Sequence, residues 1–230
     1  MTLPSDRHNP IVRVLTRAVS NGVIDGSDGV SESLCTFGAL LSAQGAVGRA
    51  VSRKDSNPEA VAAHLEDCLA GLTAIPGDWA GQTVVDVGSG YGLPGIVAAL
   101  ARPNIEKAVL LEPSARRGTF LRRAIIETGA NAEVVSGSAP EAYELLGLSA
   151  EPCARTVVLV RALAPPAETI ELVNALLTEE ATLLYWFGRR ATDREAKLEA
   201  ACDQAELAIE MFQPEMLESR GWIAIIRRCG

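Results

Sequence analysis

From Thr83 onward the chain alternates short apolar, β-branched runs with stretches whose apolar residues recur at helical spacing. The apolar runs at 83–88, 107–112, 132–136, 156–160 and 181–187 read as strands, and the intervening stretches near 94–101, 115–128, 139–147 and 166–177 read as helices. Strands that alternate with helices build right-handed βαβ units and a parallel sheet. A charged helix over 191–204, a strand over 205–212 and a last strand from Trp222 to Arg227 complete the pattern. The last two strands are close enough in sequence to pair antiparallel. The expectation is therefore an α/β, Rossmann-like fold with a mostly parallel seven-stranded sheet and an antiparallel strand near its C-terminal end.

The pattern before Pro76-Gly77 is helical. Pro10 to Ser20 places Ile11, Val14, Leu15 and Ala18 on one face, and the Asp25-Gly26-Ser27-Asp28-Gly29 cluster breaks it. Ser31 or Ser33 is placed to cap a second helix through Leu34, Phe37, Leu40 and Leu41. Asn57 as N-cap and Pro58 at the first helical position announce a third, through Val61, Leu65, Cys68, Leu69 and Leu72. None of these faces is large enough for a core of its own. Residues 1–76 are expected to form a helical cap on a body spanning 77–230.

The densest chemical signal lies at the end of the first strand. Val84-Val85-Asp86-Val87 runs into a loop holding Gly88, Gly90, Gly92 and Gly95, and then into the helical run Ile96 to Ala101. Glycine tolerates positive φ and lets a ligand approach the backbone. The first turn of the next helix offers unpaired N–H groups to an anion. Together these describe a nucleotide-cofactor site. By spacing, Gly90-x-Gly92-x-x-Gly95 fits a dinucleotide fingerprint, and Glu112, closing the second strand, suits the ribose of either a nicotinamide cofactor or S-adenosylmethionine. Asp86, two residues before the first glycine, and Pro94 within the loop discriminate better. The Asp-x-Gly-x-Gly-x-Gly arrangement resembles the cofactor loop of class I S-adenosylmethionine-dependent methyltransferases.

Composition narrows the partners. The chain has 230 residues, 48% of them hydrophobic, which suffices for a proper core, and no apolar run reaches transmembrane length. Its first residues lack the apolar region of a secretory signal, and its five cysteines are scattered without a CxxC pair. Both features suit a reducing cytoplasm and argue against a disulfide framework or a zinc site. His64 and Cys68 share a helical spacing, but two ligands do not make a metal site. Twenty-nine acids against 21 bases give a net charge of −8 and a pI near 4.9, which works against a large nucleic-acid footprint. A local basic face remains available from Arg116, Arg117, Arg122 and Arg123, from Arg189 and Arg190, or from Arg227 and Arg228.

Four further segments carry a more specific likeness. They are His64-Leu65-Glu66-Asp67-Cys68-Leu69, Leu111-Glu112-Pro113, Arg116-Arg117-x-x-Phe120-Leu121 and Arg161-Ala162-Leu163-Ala164-Pro165. With the Gly-x-Gly-Leu-Pro-Gly loop, their order and spacing resemble the glucose-inhibited division protein B family, the bacterial small-subunit rRNA guanine-N7 methyltransferases, above all its actinobacterial branch. The likeness covers roughly residues 38 to 190. It implies a class I methyltransferase fold, S-adenosylmethionine as cofactor, and small-subunit rRNA or the 30S particle as partner. It places cofactor contacts at Gly88, Leu93, Ala139, Pro140 and Arg161, beside Asp86, Gly90, Gly92 and Glu112 from the loop and second strand. His64, Arg161, Trp186 and Arg189 are candidates for contact with the methyl acceptor. Guanine N7 carries a free lone pair, so no general base is assigned.

The chain departs from the family pattern at three places. Trp186-Phe187-Gly188-Arg189 stands where the family ends its fifth strand with Lys-Gly, Ala63 replaces the Arg before His64, and Thr178-Glu179-Glu180 replaces a Pro-Gly-Gly turn. Two other readings follow. One is a small-molecule methyltransferase in which the aromatic run Tyr185 to Phe187 walls an apolar acceptor pocket. The other is a non-catalytic module of the same fold.

Overall fold

The computed structural model describes residues 8–26, 28–47, 57–137, 155–188, 192–214 and 221–229. Its seven strands are β1 (Thr83–Val87), β2 (Lys107–Leu111), β3 (Ala132–Val135), β4 (Thr156–Arg161), β5 (Ala181–Gly188), β6 (Leu207–Phe212) and β7 (Trp222–Arg228). They form one sheet in the order β3-β2-β1-β4-β5-β7-β6. β1 to β5 run parallel, and β7 lies antiparallel between β5 and β6. The seven-stranded Rossmann-like sheet expected from the alternation is present.

Both faces of the central strands are covered, as all-parallel sheets require. β1 is buried at every position. Alternate residues go to opposite sides: Val84, Leu110, Leu159 and Leu184 join one apolar cluster, and Val85, Val109, Val158 and Leu183 join another. Helices α4 (Gly95–Ala101) and α5 (Ala115–Thr128) contribute to the first cluster. Helices α6 (Pro166–Val173) and α7 (Thr192–Gln204) contribute to the second.

The N-terminal helices α1 (Pro10–Ser20), α2 (Asp28–Val47) and α3 (Pro58–Leu72) bury Leu15, Phe37, Leu65 and Leu69 in the same cluster as the first sheet face. Asn57 caps α3 by accepting the Ala60 N–H at 2.7 Å, and Asn9 does the same for α1 toward Ile11 at 2.9 Å. Arg102, at the end of α4, ties the helices down further. It is 8% exposed, its guanidinium donates to the carbonyl of Val23 at 2.7 Å, and it lies over the Trp79 ring.

Several boundaries differ from the sequence reading. α2 begins at Asp28, ahead of Ser31 and Ser33, and the Ser33 hydroxyl donates instead to the Thr128 carbonyl on α5 at 2.9 Å. α6 stops at Val173 and passes into a 3-10 turn over Asn174–Leu176, and β6 starts at Leu207. The helix expected over 139–147 lies outside the described residues. Among the described residues no helix is long and apolar enough to cross a membrane.

Candidate functional site

The C-terminal ends of β1, β2 and β4 meet at the edge of an open α/β sheet where ligands bind. A cavity of about 520 Å³ opens there between the glycine loop, the Arg161-Ala162-Leu163 turn and the side chains of Leu41, Val61 and His64 from the N-terminal helices. Backbone conformation shapes it. Gly88, Gly90 and Gly92 have φ of 73°, 56° and 84°, and Ala162, across the cavity, has φ of 52°. A non-glycine residue in that left-handed region is strained and marks a place where the fold dictates the backbone.

Each glycine has its own reason. A Cβ on Gly88 would run into the Leu163 side chain, and one on Gly92 would meet Ile96 of α4. Gly90 donates its N–H to Glu112 Oε2 at 2.9 Å. Gly95 leaves room for Asp86, with which a Cβ would collide, and donates its N–H to Asp86 Oδ2 at 3.0 Å.

Glu112 and Asp86 are both 1% exposed but do different work. Glu112 faces the cavity, and its carboxylate also accepts the Ser114 N–H at 2.7 Å and pairs with Arg117 at 2.8 Å. Asp86 points away from the cavity toward α4. Burial pushes its carboxyl up to about 7, partly offset by the Ser89 hydroxyl, the Gly95 N–H and the charge of Arg161. Asp86 therefore pins the loop to the start of α4 and is not among the side chains that line the cavity.

At the end of β4 the structure brings together residues distant in sequence. Arg161 Nε donates to Asp67 Oδ2 at 3.1 Å, and its terminal nitrogen lies 2.9 Å from His64 Nδ1. A guanidinium only donates, so Nδ1 accepts, and the proton of the neutral imidazole sits on Nε2. Arg161 and His64 both line the cavity, as do Gly88, Gly90 and Leu93. Ala139, Pro140 and Arg189 lie outside the described residues.

The aromatic run is not a pocket wall. Strand alternation sends Trp186 to the face under α3, where its indole N–H donates to the Asp67 carbonyl at 3.0 Å, and sends Tyr185 and Phe187 to the opposite face. All three are at most 4% exposed, and Arg194 of α7 covers the Phe187 ring at 4.8 Å while donating to the Tyr185 hydroxyl. Trp186 is thus a core post beneath α3, and no aromatic of this run reaches the cavity. Sequence reasoning missed Asp67 as the partner that fixes Arg161. Its only signal was its place in the His64-to-Leu69 motif.

Cys68 is fully buried, and burial pushes its thiol up to about 12. Among the described residues no three His, Cys, Asp or Glu side chains gather as a metal site. Arg227 and Arg228 are engaged with Thr182 and with the Leu177 carbonyl beside β5. On α5, Arg123 pairs with Glu127 at 2.6 Å, and Arg116 and Arg122 are exposed.

Similarity to known proteins follows the same segments. Ribosomal RNA small subunit methyltransferase G of Salinispora arenicola is 42% identical over 131 residues, 56% of this chain and 52% of that protein. The Mycolicibacterium vanbaalenii protein of the same name is 33% identical over 148 residues, 63% of each chain. Against the first of these the match spans about half the length of the relative. Among solved structures, MtNAS in complex with MTA and tNA superimposes with a TM-score of 0.58 at 16% identity, covering 86% of this chain and 72% of that one. The ribosomal protein L11 methylase of Lactobacillus delbrueckii subsp. bulgaricus gives 0.51 at 16% identity, with 73% and 79% covered. These likenesses support the fold. The family model described as GidB, rRNA small subunit methyltransferase G, matches residues 32–220, and the chain belongs to that family.

Proposed function

We propose that this chain is an S-adenosylmethionine-dependent methyltransferase acting on N7 of a guanine in small-subunit rRNA, and hence a cytoplasmic protein. One observation carries the reading: the buried Glu112 carboxylate stands at a cavity edge, fixed by the Gly90 and Ser114 N–H groups, within the segment matched to the family. The residues suit the cofactor. The cavity falls in the range of small-molecule sites, about 300–1,000 Å³. Its glycine backbone lies open to close approach, and Glu112 is the acceptor suited to ribose hydroxyls.

When bound, the cofactor supplies an electrophilic methyl group on a sulfonium. The chain's own part is to bind, orient and exclude water. Leu41, Val61 and Leu93 give the cavity apolar walls, and Asp67 holds Arg161 at its edge. His64 presents a neutral ring whose proton is on Nε2. No residue has to remove a proton from guanine N7, so proximity supplies most of the rate, about 7–11 kcal/mol in favourable cases.

The test combines calorimetric titration of S-adenosylmethionine with transfer of its labelled methyl group to 30S particles, naked rRNA and a metabolite extract. Binding, with label in small-subunit rRNA, is the expected result. Absence of binding overturns the cofactor assignment. Label in a metabolite but not in 30S particles overturns the acceptor.

A further inference from the structure

Glu112 already holds almost as many donors as it can accept. A carboxylate has about four lone-pair positions on its two oxygens. Oε2 accepts the Gly90 N–H at 2.9 Å, while Oε1 accepts the Ser114 N–H at 2.7 Å and faces the Arg117 guanidinium at 2.8 Å. One position is left, on Oε2. A ribose brings a vicinal diol, and two hydroxyl donors cannot both engage until one seated donor leaves.

Two of the three donors are main chain. Gly90 belongs to the glycine loop and Ser114 is the N-cap of α5, so neither N–H can withdraw without remaking the backbone. Arg117 is on a flexible stem in the first turn of α5, and its side chain is 42% exposed where Glu112 is 1%. Its pose is also poorly satisfied. The Nε atom is shut off from solvent and makes no hydrogen bond, a cost that release would remove.

We propose that Arg117 is a latch on Glu112, displaced by the ribose diol of a bound nucleoside, and that the freed guanidinium joins the exposed Arg116 beside it on α5 to take a phosphate of the RNA acceptor. The proposal rests on the assignment of the cavity to S-adenosylmethionine. It makes Arg117 a positioning residue that couples the two ligands: the cofactor raises affinity for RNA, and by linkage RNA raises affinity for the cofactor.

The experiment uses the full chain, S-adenosylhomocysteine as an unreactive probe, and 30S particles. Calorimetry measures the nucleoside, and particle affinity is measured with and without it. Arg117→Ala, and Arg117→Gln as a second removal of the charge, should bind the nucleoside at least as tightly as the unaltered chain. Glu112→Gln should lose about tenfold or more. In the unaltered chain the nucleoside should raise particle affinity about fivefold or more, and in both Arg117 variants that rise should vanish. Arg116→Ala should weaken particle binding equally with and without the nucleoside.

A nucleoside affinity that falls in the Arg117 variants as far as in Glu112→Gln would make Arg117 a holder of the carboxylate and overturn the latch. A rise in particle affinity that survives in the Arg117 variants, or is absent from the unaltered chain, overturns the coupling. No nucleoside binding by the unaltered chain overturns the cofactor assignment, and the latch with it.

Discussion

Trp186 and Gly71 form a lock whose energetics can be taken apart. The indole of Trp186 occupies the space a side chain at Gly71 would need: a Cβ there would lie 2.5 Å from Cε2 and 2.7 Å from Nε1. Gly71→Ala alone therefore overpacks a contact that cannot yield, at about 1–3 kcal/mol. Trp186→Ala alone removes a ring that is 4% exposed together with its bond to Asp67, at about 3–5 kcal/mol. For a chain of this size that is a fall in melting temperature of roughly 6–20 °C. With the ring gone, the methyl group of Gly71→Ala enters empty space, and the higher helix propensity of alanine, worth up to about 1 kcal/mol, is no longer masked. The double variant should therefore be no less stable than Trp186→Ala, with a coupling of about 1–4 kcal/mol. Urea unfolding followed by circular dichroism measures all four corners of the cycle. Equal costs for Gly71→Ala in both backgrounds would refute the lock, and an unchanged stability in Trp186→Ala would return Trp186 to the surface of an acceptor pocket.

Asp86 carries a pH signature. Its carboxyl titrates at about 7 in the folded chain against an ordinary 3.8, so between those values the native state holds a proton that the unfolded chain has lost. Stability should fall as pH rises from about 4 to about 7 and level off above, by on the order of 4 kcal/mol. Asp86→Asn should flatten that slope in thermal unfolding across pH, and an unchanged slope would refute the assignment. Affinity for 30S particles should fall as salt rises, and Arg116→Ala should lower the slope of log K against log salt by about 1; salt-indifferent binding would count against phosphate contacts on α5. Residues 1–76 should show no cooperative thermal transition when made alone, because Leu15, Phe37 and Leu65 share their core with the sheet; a sharp transition would make them a domain.

The sheet was legible because each strand is a compact apolar run and each crossover begins with a helix signal. The loop was legible because positive φ restricts residue choice at Gly88, Gly90 and Gly92. Caps were legible where the side chain serves its own helix, as at Asn9 and Asn57. They misled at Ser33, whose hydroxyl goes to Thr128 on α5, 95 residues away. The same limit applies at the site. Arg161 and Asp67 are 94 residues apart, and no local pattern encodes their meeting. Tyr185, Trp186 and Phe187 look like one aromatic surface when written as a run. Strand geometry divides them between two faces, and burial of both faces leaves none of them exposed.

That division changes what the departure at Phe187 means. The side chain at this position sits in the core under α7, fully buried, with the Arg194 guanidinium over its ring. An apolar residue there is a packing choice on the face away from His64 and Arg161, so the missing Lys takes nothing from the cavity wall described above. Ala63 is a different matter. It is exposed on α3 and lines a groove with Arg13, Arg17 and Glu66 beside α1, apart from the cavity that His64 lines. Exposed cations are on α5, the helix that brings Arg117 to the cavity, where Arg116 stands at the first turn and Arg122 further along the helix. On a chain of net charge −8, attraction for a phosphate backbone must come from such local concentration, since the average field repels it. Under the proposed function, the acceptor strand is therefore expected on the α5 side of the cavity. That is the side on which the proposed release of Arg117 from Glu112 would act, and the side on which a charge substitution should alter salt dependence before it alters cofactor binding.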